Sequence, residues 1–214
     1  MMWAASGGHL EVLEWLVRDC GCDINARNKV KRTALMFAAK YGHHECLRWL
    51  ISTGAADTSL RAEDDSGVFD WAVFGGDLMT LRAAAELLPP AELHAANRFG
   101  CTAVHWAASG GNVAVLRWLN EHGLDFTVVN DAGHGCVQKA AWRGHEQALQ
   151  WLMLDKDGPR LLWQLQPLVK ANVDTAVGGD VAADELVTPT LASLVQESGC
   201  SSIRDWGAME CQRR

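Results

Sequence analysis

Residues 38–50 read AAKYGHHECLRWL, and this stretch decides the fold because the chain repeats its pattern at a nearly constant interval. Each full copy has an Ala-Ala pair, then a glycine, and then a Trp-Leu pair that begins seven residues after that glycine. The glycines of the full copies are Gly8, Gly42, Gly111 and Gly144. A looser copy surrounds Gly76, where Ala83-Ala84 replaces Trp-Leu. Successive glycines lie about 34 residues apart, a period typical of stacked repeat arrays. The sequence therefore predicts one elongated domain whose units touch only their neighbours.

Each unit is expected to form two short antiparallel helices and a polar connector. Thr33 and Thr102 precede a first helix, and each hydroxyl can cap it by accepting a hydrogen bond from a free backbone N–H. Gly42 and its equivalents should end that helix, because glycine adopts the left-handed backbone at little steric cost. An apolar face of the second helix is predicted from the helical spacing of Cys46, Leu47, Leu50 and Ile51. The turn before the next unit is predicted at Asn28, Asn97 and Asn130.

This pattern resembles the ankyrin repeat, and the match covers residues 1 to about 154. The family's Thr-Pro-Leu-His-x-Ala-Ala stretch stands as TALMFAA at residues 33–39 and as TAVHWAA at residues 102–108. Proline is absent from both copies, and only His105 keeps the histidine. The family's Gly-Ala-Asp-Val-Asn connector stands as GCDIN at residues 21–25. The resemblance implies an all-α fold, an ankyrin-repeat solenoid of stacked helix-turn-helix units with short finger loops.

The predicted boundaries of the repeat units follow the spacing of the glycines. The ankyrin repeats are expected over residues 1–154, in units of about 1–27, 28–61, 62–96, 97–129 and 130–154. The first unit begins inside a first helix, so we expect the chain to be a fragment of a longer array; a half-repeat that starts at Met1 and serves as a cap is the alternative. Residues 155–184 are predicted to be an irregular insertion or linker. Residues 185–214 are predicted to be a degenerate C-terminal capping repeat and tail, because Gly199, Ile203 and Trp206 restore the spacing.

Net charge, apolar runs and cysteine count indicate which binding partners and which compartment to expect. The net charge is −7, and an acidic chain is a poor match for phosphate backbones, so no nucleic acid is expected. No apolar run approaches the roughly 18 residues of a membrane span, so no membrane partner is expected either. Seven cysteines are an odd count in a chain too long to depend on disulfides, which favours reduced thiols in the cytoplasm or nucleus. We expect a monomer.

No catalytic residue, metal site or cofactor is predicted. Cys20, Cys22, His43, His44 and Cys46 resemble a zinc cluster in spacing alone. A helix of about 10 residues would hold the two halves ~15 Å apart, whereas zinc needs all its ligands within about 2.3 Å. His44-Glu45 and His145-Glu146 begin an HExxH pattern that neither copy completes. The chain is therefore not expected to be an enzyme, and an enzyme or small-ligand binder is the less favoured alternative.

Repeated aromatic and histidine positions are read first as structural. Four tryptophans at the Trp-Leu sites, together with Trp3, Trp71 and Trp106 in the first helices, are expected to pack in the core. Trp142 lies on the face expected to point outward, and either a structural or a contact role stays open for it. His9, His43 and His145 are expected to form hydrogen bonds that tie the turn together, and His105 is expected to bond toward Thr102.

The resemblance also implies a function. In the ankyrin family, the concave face made by fingers and first helices binds other proteins, and this chain is expected to be a non-catalytic protein–protein interaction module. Mapping that face residue by residue gives the candidate set Lys29, Arg32, Lys40, Tyr41, Glu63, Asp64, Phe74, Arg98, Phe99, His134, Trp142 and Arg143. Tyr41, Phe99 and Trp142 are the predicted anchors, and Arg32, Arg98 and Arg143 are predicted to orient the partner protein. The alternative is a regulatory or scaffolding segment of a larger protein whose activity lies upstream.

Overall fold

The computed structural model describes residues 1–53 and 56–161, and the regular structure within those ranges is entirely helical. The predicted all-α fold is therefore confirmed for this part of the chain. The helices are α1 (Met2–Ser6), α2 (Leu10–Arg18), α3 (Ala34–Lys40), α4 (His44–Ser52), α5 (Val68–Gly75), α6 (Leu78–Leu87), a 3-10 helix (Pro90–His94), α7 (Ala103–Gly110), α8 (Val113–Glu121), α9 (Cys136–Arg143) and α10 (Glu146–Met153). The predicted capping repeat, and the predicted insertion from residue 162 onward, lie outside the described residues.

The helices form two layers. The first helices of successive units, α1, α3, α5, α7 and α9, each pack against the next, while α2, α4 and α6, and likewise α8 and α10, pack in a second layer. Buried alanines let the first helices approach closely: Ala38, Ala39, Ala72, Ala107, Ala108, Ala140 and Ala141. Because each unit buries its apolar surface only against its neighbours, the core runs as one continuous line through the array.

The turn inside a unit also forms a contact with the preceding unit. Gly42 and its four equivalents all adopt φ between 70° and 82°, so the predicted left-handed turn is confirmed. His43 donates from Nε2 to the Ser6 carbonyl oxygen at 2.9 Å, and His145 donates to the Ser109 carbonyl oxygen at the same distance. The predicted structural role of these two histidines is thus confirmed, but each bond reaches back to the preceding unit rather than closing its own turn.

The fingers are tight turns built on an asparagine. The Asn28 side-chain oxygen accepts hydrogen bonds from the backbone N–H groups of Val30 and Arg32, at 3.1 and 2.9 Å. Asn97 and Asn130 repeat this geometry, which confirms the predicted turns. Neighbouring fingers are joined by one backbone hydrogen bond each: Glu63 N–H to Val30 O, Arg98 N–H to Asp64 O, and Asp131 N–H to Phe99 O. The fingers therefore stand in register along one edge of the array.

The first helices are capped in two ways. Thr33 accepts a hydrogen bond from the Met36 N–H through its hydroxyl, as predicted. In the later units the side chain three positions into the helix accepts from the N-cap backbone instead: Gly67 N–H donates to Asp70, Thr102 N–H to His105, and Gly135 N–H to Gln138. The predicted contact between His105 and Thr102 is confirmed, and the degenerate third unit keeps a cap through Asp70.

Two of the tryptophans assigned to the core are exposed, so the prediction is wrong for them. Trp3 is 91% exposed and Trp15 is 56% exposed. Both belong to the first unit, and no earlier unit in this sequence covers them. Where a preceding unit is present, Trp71, Trp118 and Trp151 are buried as predicted, and Trp49 and Trp106 are partly buried against the core.

Candidate protein-binding site

Three adjoining depressions lie along the fingers and the first helices. The central depression, about 340 Å³, is lined by Arg32, Lys40, Asp64, Trp71, Phe74, Trp106, Ser109, Lys139, Trp142 and Arg143. The apolar depression, about 550 Å³, is lined by Asp64, Asn97, Phe99, Cys101, His105, Trp106, Ser109, Asn130, Asp131, Ala132, His134 and Lys139. The finger depression, about 260 Å³, is lined by Val30, Arg32, Ala62, Glu63, Asp64, Arg98 and Phe99. Asp64 lines all three, so together they form one groove.

Most of the predicted contact residues meet in this groove. Ten of the twelve line at least one depression: Arg32, Lys40, Glu63, Asp64, Phe74, Arg98, Phe99, His134, Trp142 and Arg143. Lys29 and Tyr41 are not among the residues that line these three depressions. Tyr41 still lies beside the central one, because the Lys40 ammonium sits 5.2 Å from its ring. Whether these side chains bind a partner protein stays a prediction.

The floor of the central depression is a cluster of aromatic rings from neighbouring units. Trp71 and Trp106 occupy the same site in successive units, so the repeat brings their ring centres to 6.0 Å. Phe74 meets Trp106 edge-to-face at 5.7 Å. Both tryptophans were predicted to pack in the core, and this second role was not predicted. The equal spacing of the two tryptophans was the available signal, because equivalent side chains of adjacent units must become neighbours.

Two cations lie over the same rings. The Arg32 guanidinium is 4.3 Å from the centre of the Trp71 ring, and the Lys40 ammonium is 5.5 Å from it and 5.8 Å from the Phe74 ring. Cations within about 6 Å of a ring face are attracted to its negative electron density. Positive charge is therefore held in place along the aromatic floor.

The central depression is locally basic on an acidic protein. It collects Arg32, Lys40, Lys139 and Arg143 against one carboxylate, Asp64. That carboxylate belongs to a finger turn, since one of its oxygens accepts from the Ser66 hydroxyl at 2.6 Å and from the Ser66 N–H at 3.3 Å. Lys139 occupies the first-helix site of Trp106, directly before the Ala-Ala pair, so the repeat pattern places it here, but the predicted contact set did not include it.

The apolar depression lies between the last two fingers, and its histidine is committed to structure. His105 accepts the Thr102 N–H at Nδ1 and donates from Nε2 to the His134 carbonyl oxygen, both at 3.1 Å. Burial lowers the pKa of His105 to about 4, so the ring is neutral at neutral pH. With both ring nitrogens bonded, His105 holds the finger against α7 and supports the wall of the depression.

Two other kinds of site are not found in the described part of the chain. Residues 1–53 and 56–161 contain no group of three or more His, Cys, Asp or Glu side chains placed to hold a metal ion. None of the helices within these ranges is long and apolar enough to cross a membrane.

The comparison with known families agrees with this architecture. A family model described as ankyrin repeats, three copies, matches residues 1–81 and again residues 69–161. The search of curated proteins found no significant match. Ankyrin repeats are generally protein–protein interaction modules, and the family is generally non-catalytic. The two matches together span most of the sequence, and the chain therefore belongs to the ankyrin-repeat family.

Proposed function

We propose that this chain is a non-catalytic module that binds a partner protein through the groove formed by the three depressions. The observation that carries the proposal is the exposure of large aromatic side chains along this surface. Phe99 and Trp142 are each 53% exposed and line the groove, and Tyr41 beside it is 50% exposed. Exposed aromatics next to arginine are the residues that dominate protein interfaces.

The support beneath these side chains favours binding as well. Trp71, Trp106 and Phe74 are packed on one another, so the floor of the groove is already ordered before a partner arrives. Ordering side chains at an interface costs about 0.5–1.5 kcal/mol each, and a preformed surface avoids part of that cost.

A quantitative pull-down from lysate tests the proposal. The groove variant combines Tyr41→Ala, Phe99→Ala and Trp142→Ala. The control variant combines Trp3→Ala, Trp15→Ala and Met79→Ala, which removes three exposed apolar side chains that do not line the groove. Circular dichroism first establishes that both variants keep the helical content of the wild type.

We expect at least one protein to be retained by the wild type and the control variant and lost with the groove variant. For the purified pair, each hot-spot truncation should cost about 2 kcal/mol, or roughly 30-fold in Kd. Retention of the same proteins by all three forms would overturn the proposal, and so would loss with the control variant alone.

A further inference from the structure

The charge and shape of the groove define the chemistry of the segment it fits. We propose that the groove binds an extended acidic segment of the partner protein, with carboxylates in the central depression and a neighbouring apolar side chain in the apolar depression. This inference rests on the proposed function and specifies its partner.

The cations of the central depression are unpaired within the described part of the chain. Elsewhere, five arginines form ion pairs with carboxylates of the same chain, at 2.7–3.7 Å. Arg32, Lys40, Lys139 and Arg143 form none with any described residue, although acidic residues outnumber basic ones, 26 to 19. Four cations gathered without internal partners in one depression are complementary to an external anionic group.

Unpaired hydrogen-bond donors in the central depression also favour an anionic group. Arg32 Nε, Trp71 Nε1 and Trp106 Nε1 are buried and have no hydrogen-bond partner within the described residues. All three side chains line the central depression. A buried donor without a partner is unfavourable, and carboxylate oxygens are strong acceptors for N–H groups. Side chains that donate and do not accept favour an acidic group over a basic or a purely apolar one.

The aromatic floor could in principle attract a cation of the partner, and the charges above it decide against this. Arg32 and Lys40 already lie over the Trp71 ring, at 4.3 and 5.5 Å. A further cation would meet these two positive charges at short range, and like charges at an interface are strongly unfavourable. The ring faces are therefore already occupied by cations of this chain, and these cations are what the partner segment would meet.

The apolar depression supplies the second requirement. Trp106, Ser109 and Lys139 line both depressions, so the two are contiguous. Phe99, Trp106 and Ala132 give the neighbouring space an apolar wall. One continuous segment can thus place a carboxylate beside Lys139 and an apolar side chain beside Phe99.

Selection from a phage-displayed library of random 12-residue peptides tests the inference. The bait is the full 214-residue chain at low ionic strength, where exposed charges are least screened. We expect the enriched peptides to carry two or more Asp or Glu residues within a few positions of Leu, Ile, Met or Phe. Enrichment of peptides without an acidic excess, or failure to enrich any peptide, would overturn the inference.

Matched charge variants then locate the binding on the groove. Lys139→Glu with Arg143→Glu should weaken binding of the best synthetic peptide at least about fourfold by fluorescence anisotropy, because two surface attractions are lost and two repulsions of similar size replace them. Arg82→Glu with Lys156→Glu makes the same change in net charge at exposed residues that do not line the groove, and should change Kd less than about twofold. Equal losses with both variants would show that net charge alone attracts the peptide, which contradicts the inference.

The outcome is separable from that of the proposed function. A partner that is lost with the aromatic groove variant, combined with selected peptides that are not acidic, would leave the proposed function standing and remove this inference. A partner that binds the aromatic groove variant as well as the wild type would remove the proposed function first.

Discussion

Replacing Asp70 by Asn should stabilise the chain most at neutral and alkaline pH, less at pH 5, and little below pH 3.8. Asp70 lies in α5 and is 4% exposed. One carboxylate oxygen accepts the Gly67 N–H at 2.9 Å, and the other is buried with no partner among the described residues. Burial raises the pKa of Asp70 to about 7, against the opposing effects of the Gly67 N–H and the Arg61 charge. The third unit therefore buries a carboxylic acid that resists ionisation.

The sign and size of the effect follow from linkage. The pKa of Asp70 is higher in the folded chain than its ordinary value of 3.8, so the fold prefers the protonated acid. Its contribution to stability is fully present below pH 3.8 and is lost as pH rises through about 7. The difference between the two values corresponds to about 4 kcal/mol. Asparagine is neutral throughout and keeps an oxygen for the Gly67 N–H, so it avoids most of this loss.

Urea unfolding of the wild type and Asp70→Asn at pH 5 and pH 8 measures the effect. We expect the free energy of unfolding to favour the variant by about 1–2 kcal/mol at pH 5 and by about 3–4 kcal/mol at pH 8. Asp131→Asn, which removes the same charge at an exposed finger position, is the matched control. A gain of equal size at both pH values, or a loss at pH 8, would refute the reasoning.

Three further changes test the local geometry. Lys31 adopts φ of 60° at a finger tip, a backbone conformation that is strained for a residue with a side chain. Lys31→Gly should therefore raise the free energy of unfolding by about 0.5–1 kcal/mol in urea titrations. A decrease would show that the finger is unstrained. A Cβ on Gly75 would collide with the Lys40 carbonyl oxygen, so Gly75→Ala should cost about 1–3 kcal/mol, and a higher Tm in thermal unfolding would contradict this contact. His43→Ala removes the bond to the Ser6 carbonyl oxygen and should cost about 1 kcal/mol. Amide exchange should then speed up in the first unit before the others; uniform change along the array would argue against a joint at this turn.

The repeat pattern predicted the helix pairs because it records what every unit has in common. Gly42 and its equivalents take the left-handed backbone, and Asn28 closes its finger, for reasons contained within a few residues of sequence. The grouping of most candidate residues along one groove was predictable for the same reason, since residues at one register position share one edge of the array, whereas their contact with a partner protein stays a prediction. Ten of the twelve candidate residues line the groove.

The features that were not predicted from the sequence depend on contacts between neighbouring units or on residues that differ between units, rather than on the position of a residue within its repeat. Trp3 and Trp71 occupy equivalent sites, but within this sequence a unit precedes only Trp71, and their burial differs accordingly. The cap formed by Asp70 was not predicted because the third residue of the first helix, which accepts the N-cap backbone N–H, is aspartate, histidine or glutamine in different units.

Site-specific photo-crosslinking in lysate tests the central claim most directly. The photoreactive amino acid p-benzoylphenylalanine would replace Phe99 or Trp142 in the groove, and Trp15 or Met79 outside it, in four separate proteins. All four positions are more than half exposed, so the label is equally accessible at each. We expect a discrete adduct with the same partner protein from positions 99 and 142 and none from positions 15 and 79. Adducts formed only from positions 15 and 79, or equally from all four, would contradict binding through the groove.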